Sequence, residues 1–196
     1  MTIVAGRPGS PGVHNRWQHA MKTASKPIVP SGTERSFDET ELIVSKTDLR
    51  GRITYANEAF LRVSGFLPDE LLGAPHNLIR HPEMPRCIFR MLWDTIRDKQ
   101  EIFAYIVNLA KNGDHYWVLA HVTPSFDRSG AHIGYHSNRR KPDAAALAAV
   151  IPLYKSLLAT ERRAVDPRQG LADAGNQLSA MLRDMGMGYD EFVFSL

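Results

Sequence analysis

The sequence predicts an α+β fold: a five-stranded antiparallel sheet with small helices on one face, followed by a helical extension at the carboxy terminus. Three observations carry this. Two short apolar runs, Leu42–Val44 and Arg52–Tyr55, flank the turn residues Asp48–Gly51, the pattern of a hairpin. Short helical segments and one amphipathic helix come next, and then three strand-like runs follow one another with turn residues between them. Strands at both ends with helices between them predict one sheet with the helices gathered on a face.

Asn57 is a capping residue for a helix from Glu58 to Ser64, and Gly65 can end it in the left-handed conformation. Pro68–Leu72 is a second short helix, with proline in its first turn, acids near its positive end and Gly73 after it. Pro75–Pro85 contains three prolines and carries His76, Asn77, Arg80, His81 and Glu83. Fixed φ angles and missing amide donors make it a stiff connection that holds polar groups in set directions. Beyond it, Phe89, Leu92, Trp93 and Ile96 recur at helical spacing and predict a core-facing stripe that includes Trp93. Glu101–Ala110, His115–Phe126 and His132–Arg139 are the three late strands. Between the first two, Asn112-Gly113 predicts a tight turn with both central residues at positive φ. Leu147, Val150, Ile151, Tyr154, Leu157 and Leu158 then share a helical face despite Pro152, and a further pattern runs through Leu171, Leu178, Met181, Leu182 and Met185. These faces predict helices that pack on the domain or on a second copy.

Composition narrows the function classes. At 196 residues, 43% hydrophobic and 23% charged, the chain fits one soluble domain with extensions, and no run approaches the roughly 20 apolar residues of a membrane span. The amino terminus lacks the pattern of a secretory signal and Cys87 is a lone cysteine, so a cytoplasmic location is expected. The net charge of +3 sits largely in residues 1–36, a Gly-, Pro- and Ser-rich stretch read as a disordered basic tail with Trp17 as its one large anchor. Without a tight Lys/Arg cluster or interleaved aromatics, nucleic acid is not an expected partner. Residues 37–142 are read as the folded domain and 143–196 as a helical extension for dimer or partner contact. No phosphate loop, Gly-x-Ser-x-Gly or His-Glu-x-x-His occurs, and an enzyme is the weakest reading.

Asp48-Leu-Arg-Gly-Arg-Ile-Thr-Tyr-Ala-Asn-Glu-Ala-Phe60, Asp69-Glu-Leu-Leu-Gly73 and Lys111-Asn-Gly-Asp-His-Tyr-Trp-Val118, in this order, resemble a PAS domain. Pro75-His-Asn-x-x-Arg-His-Pro-Glu-Met-Pro85, Gly134-Tyr-x-Ser-x-Arg139 and Ala149-Val-x-Pro-Leu-Tyr-Lys155 narrow the resemblance to the FAD-binding sensory PAS domain of bacterial aerotaxis receptors. The resemblance covers about residues 40 to 158. It implies a cofactor cupped between the sheet and the small helices, FAD in this subgroup and heme in some related oxygen sensors. It places the pocket at Asn57, His76, Asn77, Arg80, His81 and Asn108, with Trp117 of the Lys111–Val118 motif among the cofactor residues. His136, Ser137 and Asn138 on the last strand are the expected responders. Ile102 stands where flavin-binding members carry a tryptophan, and Leu109 and Ala110 where they often carry arginines.

The residues themselves are compatible with that pocket. Arg80 offers a planar fork of donors suited to a diphosphate or a carboxylate, the alternative being an internal ion pair with Glu83 or Asp94. His76 and His81 are either hydrogen-bonded structural histidines or, singly, axial ligands to heme; their spacing is not that of two metal ligands on one helix face. The expected function is a cytoplasmic sensor of redox state or oxygen that holds FAD and reports through a conformational change. Its output partner is a separate signalling chain of chemoreceptor or kinase type, and the module is expected to be a homodimer. A heme-based gas sensor and a cofactor-free dimerisation or scaffold module are the alternatives.

Overall fold

The computed structural model describes residues 27–196. Trp17 and most of the basic tail lie outside the described residues. The sheet has the order β2-β1-β5-β4-β3 and is antiparallel throughout, formed by β1 (Ile43–Asp48), β2 (Ile53–Ala56), β3 (Ile102–Leu109), β4 (His115–Phe126) and β5 (His132–Arg140). The first hairpin pairs at one edge, and the last strand runs between β1 and β4 to join the two halves.

Local chemistry accounts for the connections. Asn57 Oδ1 accepts from the backbone N–H of Phe60 and caps α1 (Glu58–Ser64), and Gly65 ends that helix at φ 72°. The second helix, α2 (Pro68–Leu71), has proline in its first turn. His76–Ile79 form one 3-10 turn, and α3 (Arg86–Arg97) begins straight after Pro85. The stretch between α2 and α3 is pinned at both ends. The His76 N–H donates to the Gly51 carbonyl at 2.9 Å, and Arg80 makes an isolated antiparallel bridge to Asn108 of β3.

Two local expectations are corrected. The β3–β4 connection closes with the Gly113 N–H donating to Ala110 O and the Ala110 N–H to Asp114 O, and only Gly113 has positive φ. A longer loop of this kind needs one left-handed residue where a two-residue turn needs two. Residues 27–36, assigned above to the tail, run beside that connection: the Ser31 N–H donates to Gly113 O, Glu34 bridges His115, and Arg35 pairs with Asp114 at 3.2 Å. Arg35 thus finds a carboxylate that is distant in sequence.

Of the carboxy-terminal helices α4 (Ala144–Arg163), α5 (Pro167–Asp184) and α6 (Tyr189–Phe194), α4 and α6 reach β3 at the free edge of the sheet, and α5 packs on α4 and α3. The Tyr154 hydroxyl donates to the Tyr105 carbonyl at 2.6 Å, the Tyr105 hydroxyl donates to Val193 O at 3.4 Å, and Phe194 meets Phe103 edge-on at 4.6 Å. An exposed strand edge is an open template for pairing, and α4 and α6 pack against this one. By length and composition α4 could cross a membrane, yet its Val150, Tyr154, Leu157 and Leu158 face is buried in the protein. Met185, read above as part of the α5 stripe, lies at the exposed end of that helix.

Candidate functional site

A cavity of about 410 Å³ lies between the sheet, the 75–80 segment and α3. Its walls are largely apolar: Ile79, Leu92, Ile96, Ile106 and Val122, with Trp93, Tyr135 and Phe89. Trp93 packs against the core, as its place in the α3 stripe predicts, and also lines the cavity. Its ring meets Tyr135 edge-on at 5.5 Å, and its tip lies so close to Gly51 that a Cβ there would sit 2.9 Å from it. Gly51 also adopts φ 73°, so the turn after β1 needs glycine twice over.

The polar end is built by side chains that meet only through the sheet. Arg139, 3% exposed, donates from one nitrogen to Ser45 Oγ at 2.7 Å and lies 2.7 Å from His76 Nε2. It also sits over the Phe60 ring. Burial pushes Arg139 down to about 10, and burial with the Arg139 charge beside it holds His76 near 3, a neutral imidazole. Arg139 has no carboxylate partner among the described residues. Its other terminal nitrogen has no hydrogen-bond partner among the described residues, and neither do the Asn108 amide nitrogen and the Ser137 hydroxyl, all buried and all on cavity-lining residues. Buried polar groups are normally satisfied, so this cluster fits a ligand that carries acceptors.

The cavity is also unbalanced in charge. Arg50, Arg80, Arg86, Arg90 and Arg139 line it, and no aspartate or glutamate does. Arg80 is not engaged by Glu83 or Asp94: it donates to Met84 O at 3.2 Å and its guanidinium lies 4.7 Å from the Phe89 ring centre. Asp94 pairs with Arg90 and Arg97.

Of the residues expected at the site, the fold brings His76, Asn77, Arg80, Asn108, His136 and Ser137 to the cavity wall. Asn57, His81, Ile102 and Trp117 lie elsewhere. Both ends of the Asn57 amide are consumed: the oxygen accepts from Val44 and Phe60 N–H groups, and the nitrogen donates to Leu42 O. Ile102 pairs with Val122 near the strand end and is fully buried. Trp117 alternates with the buried Tyr116 and Val118, and packs 6.0 Å from Tyr154. His81 accepts from the Glu83 N–H, stands 5.7 Å from His115 and lines a separate groove. Of the two histidines considered as axial ligands, His76 lines the main cavity with its Nε2 against Arg139 and Ser45, and His81 does not line it.

Arg139, Ser45, Trp93 and Tyr135 were not among the expected site residues. Arg139 and Tyr135 stand inside the Gly134–Arg139 motif, and strand alternation from Ser137 places both on its face of β5. Ser45 carries no signal of its own; it is opposite Ser137 only through the pairing of β1 with β5.

The family described as PAS fold matches residues 53–138. The chain is 43% identical over 134 residues to the aerotaxis receptor of Escherichia coli, covering 68% of this chain and 26% of that protein. It is 32% identical over 93 residues to the nitrogen fixation regulatory protein of Klebsiella pneumoniae, covering 47% and 19%. The chain thus spans about a quarter or less of these relatives. Among solved structures, the light state of the blue-light photoreceptor Aureochrome1 LOV superimposes with a TM-score of 0.51 at 18% identity, over 58% of this chain and 90% of that one. A light-oxygen-voltage domain studied with a flavin analogue superimposes with a TM-score of 0.50 at 18% identity, over 59% and 86%. At such identity these two likenesses speak to the fold alone.

Proposed function

We propose, from the match of residues 53–138 to the PAS fold family and the 43% identity to an aerotaxis receptor, that the chain senses redox state or oxygen by holding FAD noncovalently in the main cavity. One observation carries the reading. An apolar, aromatic cavity lined by five arginines and no carboxylate, with unpartnered buried donors on Asn108, Ser137 and Arg139, suits a flat anionic ligand rich in acceptors. Trp93 and Tyr135 supply ring faces; Asn77, Asn108 and Ser137 supply hydrogen bonds; the arginines supply countercharge. Reduction of a flavin turns an acceptor nitrogen of its ring into a donor. An amide or hydroxyl facing that atom then reorients to avoid a mismatch of about 1–3 kcal/mol, and Ser137 and His136 on β5 are the responders in this reading.

Signal exit runs along the chain itself, since β5 leads directly into α4, and α5 reaches back to the cavity through Leu171. The output is association with a separate signalling chain of chemoreceptor or kinase type, from a cytoplasmic homodimer that is a sensor and not an enzyme. The relatives named as an aerotaxis receptor and a nitrogen fixation regulator support a signalling role.

An absorption spectrum of the purified chain, with and without dithionite, tests the reading. Flavin bands that bleach on reduction are expected. A Soret band would overturn it in favour of heme, and a colourless protein that cannot be reconstituted with flavin would favour a scaffold role.

A further inference from the structure

One helix of the carboxy-terminal extension closes the main cavity. Leu171, near the start of α5, is the one wall residue among those described that lies beyond Arg139. The later turns of α5 are anchored: Ala174 and Leu178 are buried, and Gln177 accepts from the Thr160 hydroxyl at 2.6 Å and donates to Ser156 Oγ at 2.8 Å, both on α4. The opening turn, Pro167–Leu171, is held differently. It packs through Gly170 and Leu171, while Val165 in the connection before it is fully exposed and Arg168 and Gln169 face solvent. Its hydrogen bond to α3 is an exposed one, from the Arg86 guanidinium to the Pro167 carbonyl at 3.2 Å. Arg86 itself lines the cavity and has no carboxylate at ion-pair distance among the described residues.

We infer that the opening turn of α5 is a lid on the main cavity, with Arg86 as its latch. A guanidinium bonds an anion more strongly than it bonds a neutral carbonyl, because charge on both partners adds to the hydrogen bond. An anionic ligand in the cavity therefore draws Arg86 off the Pro167 carbonyl and frees Pro167–Leu171, while Ala174 and Leu178 keep the rest of the helix docked. The inference rests on the flavin reading of the cavity. It adds a second readout of ligand binding, on a helix that lies beyond the matched residues 53–138 and so outside the β5 route.

Hydrogen exchange of the full chain, read by mass spectrometry over residues 164–174, tests the latch with saturating riboflavin or FAD, bound flavin being followed by its absorbance. FAD is expected to speed exchange in this stretch about tenfold, the change that follows loss of one hydrogen bond to a charged group. Riboflavin, which carries no charge, leaves it as it was. Arg86→Ala exchanges at the fast rate already and FAD adds nothing to it. Arg90→Ala, at a cavity arginine paired with Asp94 of its own helix, responds as the unchanged chain does. Exchange that FAD slows or leaves unaltered overturns the inference, as does an equal effect of riboflavin or an Arg86→Ala chain that still responds. In each of these cases flavin is bound and the flavin reading stands. If neither flavin binds, that reading falls and inorganic pyrophosphate takes their place as the probe: faster exchange with it upholds the latch, and unaltered exchange overturns it.

Discussion

Arg139 is buried with two hydrogen-bonding neighbours and no counter-anion, an expensive arrangement for a charged side chain. Burial lowers its pKa from 12.5 to about 10, so keeping it charged at neutral pH costs on the order of 3 kcal/mol. Replacing it removes that cost along with hydrogen bonds worth about 1–3 kcal/mol. Arg139→Met is therefore expected to leave the ligand-free protein as stable as before or more so, while weakening flavin binding tenfold or more. Thermal melts of the ligand-free variant check the first half and flavin titration the second; a large loss of ligand-free stability would show that Arg139 is structural. His76 gives a matching pH dependence. Its folded pKa, near 3, lies below the ordinary 6.5, so at intermediate pH the unfolded chain binds a proton that the folded chain refuses. Stability is retained above pH 6.5 and falls as pH drops toward 3, by about 1.4 kcal/mol per pH unit from this group. Urea melts between pH 7 and 4 should show the slope, and His76→Gln should flatten it.

At the scale of the elements, the contact between α4 and α5 turns on one small residue. Gly170, in the first turn of α5, lies so close to the Glu161 carbonyl that a Cβ would sit 2.3 Å from that oxygen. Alanine in place of a helical glycine normally stabilises by about 0.5–1 kcal/mol. Here the sign should reverse: Gly170→Ala forces α5 off α4 and lowers stability by about 1–3 kcal/mol, the usual cost of overpacking. Gly175, on the same helix, has nothing near its missing Cβ, and Gly175→Ala should raise stability by the ordinary amount. Equal effects of the two substitutions in denaturant melts would contradict this packing. Since Leu171 lines the cavity, Gly170→Ala should also speed flavin release. Much of this scale is legible in the sequence. The Asn57 cap, Gly65 and the Pro68 helix start are local signals, and the elements form where those signals stand. The β3–β4 connection was less legible because Asn-Gly fits several loops, and the choice rests on hydrogen bonds made outside the pair.

For the whole molecule, a ligand seated between the sheet, α3 and α5 binds the folded chain and not the unfolded one. At a hundredfold excess over its dissociation constant it should add about 2.7 kcal/mol of stability. For a chain of this size that is a rise in Tm of roughly 5–10 °C. Scanning fluorimetry with increasing FAD checks it, and a Tm independent of FAD would argue against flavin in the cavity. The extension is joined to the ligand-binding domain at several points: α5 reaches the cavity through Leu171, the Tyr154 hydroxyl of α4 donates to the Tyr105 carbonyl of β3, and the Tyr105 hydroxyl donates to Val193 O of α6.

What the sequence determined by itself is the order of elements, most turns and the stiffness of Pro75–Pro85, because caps, prolines, glycines and hydrophobic period act over a few residues. The tertiary structure decided which polar groups share the cavity. Asn57 looked like a ligand residue and is consumed as a cap, Trp117 lies next to Tyr154, and His81 opens into a different groove. Arg139 and Ser45, 94 positions apart, become hydrogen-bonded neighbours only when β5 inserts beside β1. Strand order, the parity of side chains on each strand and burial are set by long-range pairing, and the chemistry of the site depends on all three.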